Sequence, residues 1–258
     1  MKIFKRTFIY VLSILIISII VFISNGLIEK IFVDKDIKSF IDRGEYVTTI
    51  DNTSYFKVVA SEDEDGKNVF DINDIHQYIG TTGDIIVTNR NPLRYSKSLI
   101  LKTIVGIFSK SMFIGHGTYN VTDDGAVLVE IDYSSSDKEN NVVKYNQNTW
   151  VTDDDGSPYI IGLRAKKIND NIKSKLLEYA KDNIGKKYNI SFIYNKNKFY
   201  CTDLVSRAYK YSGIKINYDS LFTTGNDMIV SDETYIIFVR VKERGKEDKY
   251  KIYYLDEE

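Results

Sequence analysis

The first thirty residues differ from the rest in their patterning. "MKIFKRTFIYVLSILIISIIVFISNG" opens with Lys2, Lys5 and Arg6 and then runs uncharged from Phe8 to Ser24. About 17 apolar residues is the lower limit for a helix that crosses a bilayer core. The run is longer than the h-region of a cleaved signal peptide, and only Ser24-Asn25-Gly26 stands as a weak cleavage site. Residues 1–33 therefore read as an uncleaved anchor, with a signal peptide as the alternative. The basic residues before the span predict a cytoplasmic N-terminus and place the remaining chain outside.

Beyond the span the apolar positions become periodic. "EKIFVDKDIKSFIDRG" has the spacing of a short amphipathic helix ending at Gly44. "EYVTTI" and "YFKVVA" read as strands around the turn Asp51-Asn52-Thr53. "SEDEDGKN" is a solvated acidic loop without the spacing of a calcium loop. "DINDIHQYIG" reads as a helical turn with His76 an ordinary surface or boundary residue, and "TGDIIVTN" as a short buried strand. "SKSLILKTIVGIFSKSMFI" holds a helix, and "MFIGHGTYNV" and "GAVLVEIDY" form a hairpin around "TDDG". "NTWVTDDDGSPYIIGLRAK" supplies a loop and a strand. "DNIKSKLLEYAKDNIGKKY" is a helix capped at Asp170 or Asn171, with Gly185 past its end. "CTDLVSRAYKYSG" is a second helix closed by Gly213, and "TYIIFVRVKERGKEDKYKIYYLD" a terminal hairpin. Strands pair with their neighbours instead of alternating with helices, which makes the class α+β. No compositional break divides residues 34–258, so they read as one domain.

Composition narrows the chemistry. The net charge of −1 gives no basic field for nucleic acid. One cysteine excludes an internal disulfide, and two scattered histidines give no zinc spacing, so no metal or other cofactor is expected. A lone cysteine in an oxidising compartment is a liability unless it has a use. Cys201 falls at a helix start, where unsatisfied backbone N–H groups favour a thiolate and can hold a developing oxyanion. Leu204, Val205 and Ala208 share its face, which puts the sulfur at the edge of a buried groove. The plain alternative is a buried small hydrophobe. His116 stands between two glycines, which leave room for another backbone or a substrate. A hairpin centred on Asp123 sets Glu130 opposite His116. One centred on Asp124 makes them diagonal neighbours with Asp132 opposite, and a two-residue turn sends Glu130 to the other face. Glu130 is thus the candidate for orienting the imidazole and Asp132 the fallback.

The order "GDIIVTN", "FIGHGTY", "VLVEID", "IGKKYNISF", "FYCTDLVSRAY" resembles the permuted papain-like amidases of the YaeF/YiiX type, circularly permuted relatives of the NlpC/P60 cell-wall hydrolases. The resemblance covers roughly residues 80 to 240, and its motifs are specific through their order more than singly. It implies a circularly permuted papain-like fold, with an antiparallel sheet packed against helices. It also implies Cys201 as nucleophile, His116 as base, Glu130 as orienting acid, and Tyr188 and Tyr200 lining the substrate groove. Thr202-Asp203 departs from the usual Ser-Glu, and Gly117-Thr118 from the usual apolar-Gly. The implied activity is hydrolysis of an amide, with a cell-wall peptide as first substrate. An acyl lipid, handled as by the lecithin:retinol acyltransferase group, and a non-catalytic surface module are the alternatives.

The topology has a direct test. Protease added to intact cells is expected to remove residues 34–258 and leave a short protected N-terminal fragment. A domain protected until the membrane is broken would contradict this orientation.

Overall fold

The computed structural model describes residues 2–112, 115–137, 139, 141–152, 159–218, 222–243 and 249–257. Helix α1 runs without interruption from Lys2 to Asp42. The expected anchor and amphipathic helix are therefore one element. Asn25 and Gly26 do not break it: Asn25 Nδ2 donates to Glu29 Oε1 one turn on, at 2.6 Å. Its first half leaves Phe8, Tyr10, Ile14 and Ile17 exposed, whereas Val33, Ile37 and Phe40, at i, i+4 and i+7, are buried in the domain. The helix is long and apolar enough to cross a membrane.

Strands β1 (Gly44–Ile50) and β2 (Thr53–Val59) follow as a hairpin. Its turn residues Asp51 and Asn52 both have positive φ, as a tight primed turn requires. Next come β3 (Ile85–Thr88), α2 (Leu99–Met112), β4 (His116–Asn120), β5 (Val127–Glu130), β6 (Lys144–Gln147) and β7 (Tyr159–Ala165). Helix α3 (Asp170–Asn183) precedes the short strands β8 (Lys187–Tyr188) and β9 (Lys198–Phe199). Helices α4 (Cys201–Ser212) and α5 (Gly225–Ile229) and strands β10 (Thr234–Lys242) and β11 (Tyr250–Asp256) complete the chain. Residues 153–158, the tip of the last hairpin at 244–248, and residues 113–114 of the expected "MFIGHGTYNV" strand lie outside the described residues.

One nine-stranded sheet, in the order β1-β2-β11-β10-β7-β3-β4-β5-β6, organises these elements. The β2–β11 pairing is parallel and its other pairings are antiparallel. The parallel join carries the N-terminal hairpin into the same sheet as the terminal one. Three local expectations differ. The segment with His76 makes turns instead of a helical turn, and His76 stacks on Tyr78 at the surface. Helix α3 is capped one residue early, by Asn169, whose side chain accepts from the Ile172 N–H. Strand β6 is an addition: its partly exposed "KYNQ" carries almost no apolar signal.

The central strands are pinned by a buried ion pair. Arg164 on β7 donates from Nε to Asp84 Oδ1 at 2.8 Å and from Nη2 to Oδ2 at 2.6 Å. Its Nη1 donates to the carbonyls of Asp65 and Lys67, so the acidic loop is tied down as well. Removing one partner of such a pair leaves an uncompensated buried charge and costs about 3–5 kcal/mol. Asp84→Ala is therefore expected to lower unfolding stability by about that amount in a denaturant titration. A loss within the scatter of ordinary surface substitutions would contradict this role.

Candidate active site

Strand β4 presents His116, and helix α4 presents Cys201. They meet because α4 packs directly on β4. Two glycines permit the approach. A Cβ on Gly115 would lie 1.5 Å from the Thr88 carbonyl oxygen, and one on Gly117 would lie 3.1 Å from Thr202 Cγ2. The room beside His116 is thus filled by strand β3 on one side and by the first turn of α4 on the other.

Cys201 is the first residue of α4, after Tyr200 in extended conformation with no side-chain cap. Leu204, Val205 and Ala208 bury the face behind it. The helix closes on Gly213, whose left-handed conformation aims its N–H back at Tyr209 and Lys210. The Tyr209 hydroxyl, from the same helix, donates to the Gly83 carbonyl oxygen at the head of β3. The sulfur is covered more deeply than a groove edge implies: Cys201 is 2% exposed and His116 1%.

The β4–β5 hairpin pairs Tyr119 with Val129 and Asn120 with Leu128. That register is centred on Asp124, so Glu130 is the diagonal neighbour of His116. His116 Nε2 faces Glu130 Oε2 at 3.4 Å, and with its proton there the imidazole donates to the carboxylate. Asp132 lies just past β5 and accepts from Arg94 Nη2 at 2.9 Å, with Arg90 Nη2 at 3.7 Å. The fallback carboxylate is occupied by arginines.

Two residues that the sequence reading did not single out complete the site. Asn146 on β6 donates to Glu130 Oε1 at 2.8 Å and holds the carboxylate from the far side. Trp150, the chain's one tryptophan, stacks on the His116 ring with centroids 5.4 Å apart and planes 17° apart. The Arg90 guanidinium lies over the ring of that tryptophan, 5.0 Å from its centroid. Its rarity was the only sequence signal for Trp150.

Burial favours the neutral imidazole, and Arg90 acts in the same direction. The charge that Cys201 carries as a thiolate, together with the hydrogen bond to Glu130, outweighs both and raises the His116 pKa from 6.5 to about 9. Burial likewise pushes Glu130 upward. Its bonds to His116 and Asn146 and the charges of His116 and Arg90 prevail and hold it at about 2. As a thiol, Sγ–H would donate weakly to the Gly115 carbonyl oxygen at 3.7 Å, and the buried His116 Nδ1 makes no hydrogen bond. Nδ1 is thus the ring nitrogen that the carboxylate does not engage.

Tyr188 and Tyr200 are both nearly buried. Burial, with the charge of Cys201 next, keeps the Tyr188 phenol protonated well past its ordinary range, and its hydroxyl has no hydrogen bond. Tyr200 stacks on Phe222 at 4.8 Å and accepts from the Thr223 N–H at 3.2 Å, so its hydroxyl is committed to the fold. Asp203, in the first turn of α4, is paired with Arg207 at 2.7 Å. A groove lined by Arg90, Arg94, Glu130, Asn146 and Trp150 opens beside the carboxylate end of the site.

The imidazole–carboxylate pair makes stability depend on pH. Glu130 is depressed, so its contribution is present above its unfolded value of 4.5 and is lost as pH falls through about 2. His116 is raised, so its contribution is present below 6.5 and is lost as pH rises through about 9. The melting-temperature difference between wild type and Glu130→Gln is expected to be greatest between those two unfolded values. It should shrink toward pH 9 and toward pH 2. A difference that stays flat from neutrality to pH 9 would contradict the coupling.

No curated protein matches the sequence. Among solved structures, the crystal structure of metalloprotein yiiX from Escherichia coli O157:H7 is similar at 17% identity and a TM-score of 0.45, over 61% of this chain and 96% of that one. Among the described residues here, no group of three His, Cys, Asp or Glu side chains is placed to hold a metal ion. The family model described as permuted papain-like amidase enzyme, YaeF/YiiX, C92 family, matches residues 101–254. That span holds β4, β5 and α4, and the chain belongs to this family of cysteine amidases.

Proposed function

We propose that the chain is a membrane-anchored thiol hydrolase, with its domain outside the cytoplasm, that cleaves an amide through Cys201, His116 and Glu130. The observation that carries the reading is the buried imidazole on β4, packed against the first turn of α4: one nitrogen faces a carboxylate and the other is unbonded.

The steps follow from those positions. Cys201 passes its proton to His116 Nδ1, and the thiolate attacks the carbonyl carbon. A C–S bond forms as the carbonyl electrons move to oxygen, where N–H groups at the start of α4 stabilise them. The oxyanion collapses, the C–N bond breaks, and the imidazolium gives its proton to the leaving amine. Water then attacks the thioester with His116 as base, releasing the acid and restoring the thiol. Glu130, held by Asn146, keeps the ring oriented throughout. A cell-wall peptide is the first substrate class, because the domain is read as facing outward. A specific observation favours acyl-lipid cleavage as a second reading: helix α2 exposes Leu99, Ile100, Ile104 and Ile107 close to the anchor helix.

Labelling with a thiol-reactive acyl electrophile tests the assignment. Cys201→Ser is expected to abolish labelling while the protein still folds, since serine fills nearly the same volume but is a far weaker nucleophile. His116→Ala should slow labelling by about 10²- to 10⁴-fold. Glu130→Gln should cost less, and Asp132→Asn should leave the rate near wild type. A strong effect of Asp132→Asn beside a silent Glu130→Gln would reassign the carboxylate. Equal slow labelling of wild type and His116→Ala would make Cys201 an ordinary buried thiol.

A further inference from the structure

Helix α2 carries its apolar side chains on the side that faces away from the protein. Ile100, Ile104 and Ile107, at i, i+4 and i+7, are 72%, 47% and 58% exposed, with Leu99 and Leu101 beside them. The opposite face holds Val105, Gly106 and Ser109. Ser109 is fully buried, and its hydroxyl bonds back to the Val105 carbonyl oxygen. Asn91 fastens the helix to the preceding loop by donating to the Lys102 carbonyl oxygen at 2.8 Å. The domain side of α2 is therefore fixed, and the apolar stripe lies outside it.

Two observations identify what covers the stripe. Helix α2 packs against α1, and α1 remains apolar and exposed beyond Ser24, through Leu27, Ile28, Ile31 and Phe32. The stripe is thus continuous with the helix that enters the bilayer. Between residues 94 and 112 there is no Asp or Glu, whereas Lys97 and Lys102 are both exposed. With 14 residues, α2 is about 21 Å long, too short to cross a hydrocarbon core of about 30 Å. An apolar face with basic residues and no acids is the pattern of a helix that lies in the membrane interface.

We propose that α2 is a second membrane contact, seating the Ile100–Ile104–Ile107 face among the lipids of an anionic leaflet beside α1. This rests on the reading of α1 as a membrane span. The contact fixes the domain's tilt as well as its tether. The loop before α2 carries Arg90 and Arg94, which line the groove beside Glu130, so that groove is held near the lipid surface.

The full chain with Cys201→Ser offers a cysteine-free background for a single reporter. Ile104→Cys, labelled with NBD and reconstituted in phosphatidylcholine–phosphatidylglycerol vesicles, is expected to emit at short wavelength. Nitroxide lipids should quench it several-fold more than aqueous iodide does. Ile107→Cys should repeat the result, and vesicles without phosphatidylglycerol should weaken lipid quenching at both positions. Ile17→Cys reports on α1 in parallel. Lipid quenching at position 17 with iodide quenching at 104 and 107 would overturn the inference and leave the anchor intact. Iodide quenching at all three would overturn both. Shielding from both quenchers at 104, with cross-linking between chains, would assign the face to a second copy of the chain and also overturn it.

Discussion

The close approach of helix α4 to strand β4 is the constraint on which the site depends. Two glycines set it. Gly115 lies against the Thr88 carbonyl, where no side chain fits, and Gly117 lies against Thr202 in the first turn of α4. The strand residue between them is His116, and the helix residue before Thr202 is Cys201. Chemistry and packing are thus interleaved one residue apart, and any side chain that separates helix from strand also separates thiol from imidazole. The bond from Tyr209 to the Gly83 carbonyl holds the same helix to the neighbouring strand. The Arg164–Asp84 pair in turn holds that strand's approach to β7.

Electrostatics then decides what the buried residues can do. A histidine this buried favours neutrality, and Arg90 adds to that preference. A charged imidazole needs negative partners around it, Cys201 as a thiolate and the Glu130 carboxylate. The carboxylate is kept ionised by the same ring and by Asn146. Trp150 closes the face of the imidazole and is itself covered by Arg90, which also reaches Asp132. Low exposure strengthens each of these interactions, since a dry site screens charges poorly.

The sequence makes some of this legible and not the rest, for physical reasons. Cys201 and His116 stand out because each lies in a local pattern: a helix start followed by apolar positions at helical spacing, and a strand flanked by glycines. The terminal hairpins and helices α3 and α4 are legible through periodicity and their closing glycines. The choice between Glu130 and Asp132 is not, because it turns on a hairpin register that several loops of "TDDG" satisfy equally. The ladder centred on Asp124 leaves Glu130 on the diagonal, and arginines from a distant loop take Asp132. Asn146 is hidden because β6 is a short, polar edge strand whose pairing is wholly non-local. The continuity of α1 is hidden for the opposite reason: an apolar run and an amphipathic run are both helical, and the polar residues between them can be spanned within one turn.

The coupling of imidazole to thiol is the central claim, and histidine NMR measures it directly. His76 is the only other histidine and lies at the surface, so the two resonances separate readily. His116 is expected to titrate near pH 9 in the wild type and at a clearly lower pH in Cys201→Ser, where burial is no longer offset by the sulfur's charge. An unchanged His116 midpoint in the two proteins would contradict the account.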